Sequence, residues 1–143
     1  MTKKIDIYCI THKFLKSLEY LKVIPFGVGK NKYPKKFLSE KNGKNIINKN
    51  STFGELTFQY WFWKNKLVKY KKDEWFGICH YRRFFVKLSI RKKIKKFGFK
   101  LYENKIKNLR NLNNIIIKNV PKEWDDYNTI LCDPVDFNFT KFS

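Results

Sequence analysis

One stretch, Trp75–Phe85 (WFGICHYRRFF), constrains the fold more than any other. Trp75, Phe76, Ile78 and Cys79 form a short apolar run in which Gly77 permits close backbone approach, the pattern of a buried strand. The run breaks off at His80-Tyr81-Arg82-Arg83. Arginine is scarce in this chain: Arg82, Arg83, Arg91 and Arg110 are its only examples among 32 basic residues. A pair of them, beside one of only 2 histidines, therefore stands out from the lysine background. Open α/β sheets bind ligands beyond the carboxyl ends of their strands. Adjacent guanidinium forks there suit a bidentate oxyanion, phosphate above all. The plainer alternative is an exposed arginine pair that closes a strand.

The rest of the chain supplies elements to surround that strand. Lys4–Thr11 carries IDIYCIT and reads as a first strand, ending at Thr11-His12-Lys13. His12 thus follows the first strand as His80 follows the central one, and the two are expected to share a pocket. Phe14–Tyr20 reads as a short helical stretch. Leu21–Val28 is a second apolar run that Pro25 restricts to an edge or a strand start. The GVGK that follows is a turn, far short of a phosphate-binding glycine signature. Asn31–Asn50 reads as a long polar loop. Thr52–Tyr70 reads as a helix in which Thr52 and Glu55 have capping-box spacing. Leu56, Tyr60, Trp63 and Leu67 mark one face, widened by Phe53, Trp61, Phe62 and Val68. Glu55 carries two readings, a cap or a catalytic carboxylate. Trp61 and Trp63 carry two as well, core packing or a stacking platform for a sugar or base. Residues 87–119 form a basic, helical excursion within a single domain spanning 1–143. Asn128–Cys132 reads as a last strand, followed by Asp133 and Asp136.

Composition excludes some classes and weakens others. Hydrophobic content of 43% and aromatic content of 18% exclude a disordered chain. The net charge of +20 invites a nucleic-acid reading. Lysine, Asn, Ile and Phe are abundant and Ala is absent, however, as a nucleotide bias toward A and T produces. Lysine then spreads over a surface without any shared partner, although the charge still attracts polyanions and anionic membrane faces. The three cysteines, Cys9, Cys79 and Cys132, lie far apart in apolar stretches. They show no zinc-ligand spacing and read as buried free thiols of a reducing compartment. No secretory h-region and no long apolar span is present, so a cytoplasmic location is expected, peripheral to the inner membrane face at most.

Three separated motifs carry a family resemblance. Gly54-Glu55-Leu56-Thr57, Tyr60-Trp61-Phe62-Trp63-Lys64-Asn65 and Gly77–Phe85 resemble the ELT..YW.WKN and G..HYRR.F signature of a bacterial domain family of unknown function. Its members are described as capsular, exopolysaccharide or lipopolysaccharide biosynthesis glycosyltransferases. Thr11-His12-Lys13, Phe26–Lys30, Asn42–Asn50 and Tyr127–Pro134 resemble further segments of the pattern, so the likeness runs from about residue 4 to 136. Gly54, Lys44 and Asn128 depart from it, standing where relatives usually have Cys, an acidic residue and Asp. Relatives also run on for longer, so the chain resembles the amino-terminal part of a member.

The resemblance implies a GT-A-like, mostly parallel α/β sheet with flanking helices, truncated at its carboxyl end. It implies transfer of a sugar from a nucleotide-diphosphate donor onto a growing surface polysaccharide or lipid-linked oligosaccharide. In that reading Thr11, His12, His80, Tyr81, Arg82 and Arg83 bind the donor diphosphate. Asp133, Asp136 and Glu55 are the catalytic carboxylates, and Trp61 and Trp63 stack on sugar or base. A GT-A enzyme usually holds a divalent metal on Asp-x-Asp, and no such motif occurs here. No metal cofactor is therefore expected, with Mn or Mg on Asp133 and Asp136 as the exception. The alternatives are a basic nucleic-acid-binding module and an inactive remnant of a transferase.

Overall fold

The computed structural model describes residues 3–90, residue 92 and residues 109–131. Its centre is β1 (Ile5–Thr11), flanked by β2 (Ile24–Gly27) on one side and β4 (Trp75–His80) on the other. A two-residue β3 (Leu38–Ser39) lies beyond β2, giving the order β3-β2-β1-β4 with every pairing parallel. The expected parallel α/β sheet is present.

β1 is apolar at almost every position because both of its faces are covered. Ile5, Ile7 and Cys9 point into one layer with Leu18, Leu21, Phe37 and Cys79. Tyr8 and Ile10 point into the other with Phe26, Val28, Phe58 and Phe62. The register pairs Cys9 with Cys79 and Ile10 with His80, so the polar ends of β1 and β4 emerge at the same level. A hydrogen bond with Cys79, together with burial, pushes the Cys9 thiol well above its ordinary range, and both cysteines are free.

The helical segment differs from the sequence expectation in two ways. It is broken into α1 (Asn50–Phe53) and α2 (Leu56–Asn65), then closes with a 3-10 turn at Leu67–Lys69. The inward face is Thr57, Phe58, Trp61 and Phe62. Leu56, Trp63 and Leu67, assigned to the buried face from the sequence, are exposed. Aromatic residues surround α2 on all sides, so periodicity alone could not select the buried stripe. The selected stripe is the one whose rings mesh with the sheet: Phe26 meets Phe58 edge-on and Phe62 meets Phe76, each at 4.7 Å between centroids.

Pro25 stands near the start of β2, one of the two placements expected; β2 is nonetheless interior, and β3 pairs only with Phe26 and Gly27, so no ladder bond is asked of the proline nitrogen on that side. Three further expectations are corrected. The polar 31–50 stretch contains β3 and a 3-10 turn at Ile47–Lys49. The end of the 87–119 excursion belongs to the core. There Val86 bridges Ile116, the Ile117 amide donates to the Phe85 carbonyl at 3.1 Å, and Ile116 and Ile117 are buried after α3 (Leu109–Ile115). Residues 128–131 join no ladder, so the expected strand over Asn128–Cys132 does not form in its described part. Cys132 lies outside the described residues, as do Asp133 and Asp136.

Phe26 is fully buried between Phe58 and Trp61, whereas Val68 is 75% exposed. Phe26→Ala is expected to lower unfolding stability by about 3–5 kcal/mol. Val68→Ala should stay within about 0.5 kcal/mol of the parent. Urea denaturation of the two variants checks the contrast.

Candidate oxyanion-binding site at the carboxyl end of the sheet

The site forms where β1 and β4 end. Thr11 is fully buried. Its hydroxyl donates to the Lys13 carbonyl at 2.6 Å and accepts the Lys13 amide at 3.2 Å, a side-chain turn that swings the chain out of the sheet at His12. Asn31 Nδ2 donates to the His12 carbonyl at 2.6 Å. The Thr11 hydroxyl is thus committed to its own turn, and His12 is the residue presented. On the neighbouring strand, the Tyr81 amide donates to the Ile10 carbonyl at 3.1 Å and the Arg83 amide to the His80 carbonyl at 2.8 Å. This tight turn carries Tyr81, Arg82 and Arg83 over the end of β1.

The aromatic rings hold the cluster together. His12 and His80 lie 6.4 Å apart between centroids, nearly parallel, and Tyr81 meets His12 edge-on at 5.5 Å. Arg82 sits 5.1 Å from the Tyr81 ring centre and the Lys13 ammonium 5.4 Å from it, so Tyr81 gathers two cations. Arg82 and Arg83 are exposed, with donors free to meet an anion from solvent.

Glu55 arrives from the opposite layer through the break between α1 and α2. Gly54 has φ +53° and ψ −128°, a conformation that side chains resist. The Gly54 carbonyl accepts Asn50 Nδ2 at 2.7 Å and the buried Thr57 hydroxyl at 2.9 Å. Thr52 falls inside α1 and Glu55 makes no side-chain cap, so the capping box is absent. The Glu55 carboxylate instead lies 2.6 Å from His80 Nε2, with the His80 side chain only 20% exposed. Burial pushes the His80 imidazole below its ordinary pKa. Glu55 opposes that shift, while Arg82, His12 and Arg83 add to it.

The structure thus gathers His12, Glu55, His80, Tyr81, Arg82 and Arg83 in one place. It does not bring in Trp61, which is 5% exposed against Phe26 and donates its indole N–H to the Asn42 carbonyl. Trp63 is exposed, with the Lys64 ammonium 3.3 Å from its ring centre. Sequence reasoning missed Glu40, a fully buried carboxylate just past β3. Its Oε1 accepts the Gly29 amide at 2.7 Å, and its Oε2 has no hydrogen-bond partner among the described residues. No motif marks it; only the fold carries that segment to the strand ends. Cavities of about 410 and 430 Å³ lie elsewhere, at Asp6, Tyr8 and Tyr70, and between β4 and residues 124–131. The cationic cluster lines neither of these cavities.

The chain is thus a parallel α/β domain with paired imidazoles and guanidiniums gathered at its strand ends. The chain belongs to the family described as domain of unknown function DUF4422, whose model matches residues 6–134. Among solved structures it is similar to the apo form of the bifunctional glycosyltransferase WbbM, at 32% identity and a TM-score of 0.44. That likeness covers 58% of this chain and 14% of the other, so this chain spans a small part of the length of the protein it matches. No curated protein matches the chain.

A Cβ on Gly54 would meet nothing within 4 Å, so the cost of substitution there is backbone strain alone. Gly54→Ala is expected to destabilise the chain by about 1–3 kcal/mol. Thr11→Val keeps the branched shape and removes the turn hydrogen bonds, costing about 1–3 kcal/mol through the unpaired Lys13 amide. Chemical denaturation measures both, and shifts of the His12 ring proton resonances in Thr11→Val read the displaced turn.

Proposed function

We propose that the chain supplies the donor-binding half of a nucleotide-sugar glycosyltransferase of GT-A-like architecture. It would transfer a sugar onto a surface polysaccharide or lipid-linked acceptor. The observation that carries the reading is the meeting of His12 with the His80–Arg83 turn at the ends of two adjacent parallel strands. The resemblance of the motif-bearing segments to polysaccharide-biosynthesis transferases supplies the chemistry. In this reading Arg82 and Arg83 neutralise the diphosphate as it leaves, where charged hydrogen bonds contribute about 1.5–3 kcal/mol each. Glu55 keeps the catalytic role that the resemblance implies, and His80 stands with the diphosphate-binding residues. Trp63 offers an exposed ring for stacking. Asp133 and Asp136 keep the roles that the resemblance implies, acceptor activation or metal binding. The chain works in the cytoplasm, where nucleotide sugars are made, and its lysines favour contact with an anionic membrane face.

The rival reading, a nucleic-acid module, calls for exposed aromatics interleaved with lysine on one face. Tyr8, Phe26, Phe58, Trp61 and Phe62 are buried together in the core, and the exposed Trp63 carries Lys64 against its ring. Calorimetric titration with UDP discriminates the two. Arg82→Ala and Arg83→Ala are each expected to weaken UDP at least about tenfold, the equivalent of one charged hydrogen bond. Lys71→Ala and Lys72→Ala, at the opposite end of β4, should leave affinity nearly unchanged. Equal losses in all four variants would replace the site with diffuse charge attraction.

A further inference from the structure

We propose that His12, Glu55 and His80 form a binding site for a divalent transition-metal ion of the zinc or manganese kind. Three segments far apart in sequence deliver the donors: the turn after β1, the break between α1 and α2, and the end of β4. Each residue offers one ligand atom, and the three atoms lie within 4.8 Å of one another. An ion holding such donors at about 2.0–2.2 Å sets tetrahedral neighbours about 3.3 Å apart. The Glu55–His80 contact, now 2.6 Å, would open by under about 1 Å to admit it.

The donor chemistry selects the ion. Two imidazoles and one carboxylate suit zinc, manganese or cobalt, whereas magnesium and calcium prefer oxygen throughout. Three protein donors leave positions open for water or a ligand oxygen, as in reactive rather than structural sites. A simple Glu–His pair accounts for the Glu55 contact. It does not account for His12, which a fully buried threonine and the Asn31 amide hold beside His80. Lys13, Arg82 and Arg83 surround the same spot and oppose a bare cation. An arriving polyanion would be shared between the ion and the guanidiniums, so ion and diphosphate should strengthen each other reciprocally. That coupling rests on the transferase reading; binding of the ion alone does not. The linear sequence suggested no metal because it lacks Asp-x-Asp, and these donors converge only in the folded chain.

The test uses the full chain, free of any histidine tag and stripped with chelator. Zn²⁺ and Mn²⁺ are titrated by calorimetry, and Co²⁺ is followed by its visible absorption, with no nucleotide present. The expected result is one ion per chain and a cobalt spectrum of nitrogen and oxygen ligation, without the thiolate charge-transfer bands that Cys9 or Cys79 would give. His12→Ala, Glu55→Gln and His80→Ala should each weaken the ion at least about tenfold. Thermal melts without metal identify any variant that has lost its fold, and His80→Asn then replaces a misfolded His80→Ala. Absence of a cobalt spectrum, or affinity indifferent to all three positions in folded variants, overturns the proposal. A chain that binds the ion but not UDP retains the metal site and removes the transferase reading. UDP binding without any ion site does the reverse.

Discussion

The structure depends on β1 being covered on both faces. One seven-residue strand supplies Ile5, Ile7 and Cys9 to one layer and Tyr8 and Ile10 to the other. Its backbone also bonds β2 and β4 at once. Apolar burial stabilises by roughly 25 cal/mol per Å², so the strand that shields both layers anchors them both. The site inherits that rigidity. His12 and His80 are the residues at which two adjacent, paired strands let go of the sheet, and short hydrogen-bonded turns fix the backbone at each.

Much of this was legible in the chain. A strand buried on both faces must be apolar nearly throughout, and β1 and β4 are the runs that satisfy that condition. Where such a run stops at a histidine, the histidine sits at a strand end, so the pairing of His12 and His80 followed from pattern. What stayed hidden was whatever depends on three-dimensional choice. The inward stripe of α2 was ambiguous because aromatic residues occupy both sides. Glu55 kept two readings, cap or catalytic carboxylate, because its spacing from Thr52 fits a cap, and only the positive φ of Gly54 turns it toward His80. Ile116 and Ile117 lie in the segment read as a basic excursion, yet they are core because the chain returns to Phe85. Glu40 left no signature, since its partner is a backbone amide.

Charge is used economically where it matters. The chain has 12 acidic residues against 32 basic ones. Most lysines are solvated, and the Lys4–Asp6 pair at 3.9 Å is too exposed to contribute much. Two of the scarce carboxylates are placed at the carboxyl end of the sheet instead: Glu40 buried under the Gly29 amide, and Glu55 against His80. Each is held by a specific donor, which is how a strongly cationic molecule keeps a defined local field inside a general positive background.

The parallel pairing of β1 with β4 also sets an order of events during synthesis. Ile5 must wait for Trp75 before its central ladder can close, and everything between them has to be made first. Parallel, distant pairings close slowly, because the loop entropy is lost before the contacts reward it. During synthesis β1 therefore emerges before its partner β4 and spends an interval with one edge and much of both faces uncovered. A holding chaperone would find its target in that interval. His12 and His80 meet only when it ends, so a nascent chain has no site at all until its centre has closed.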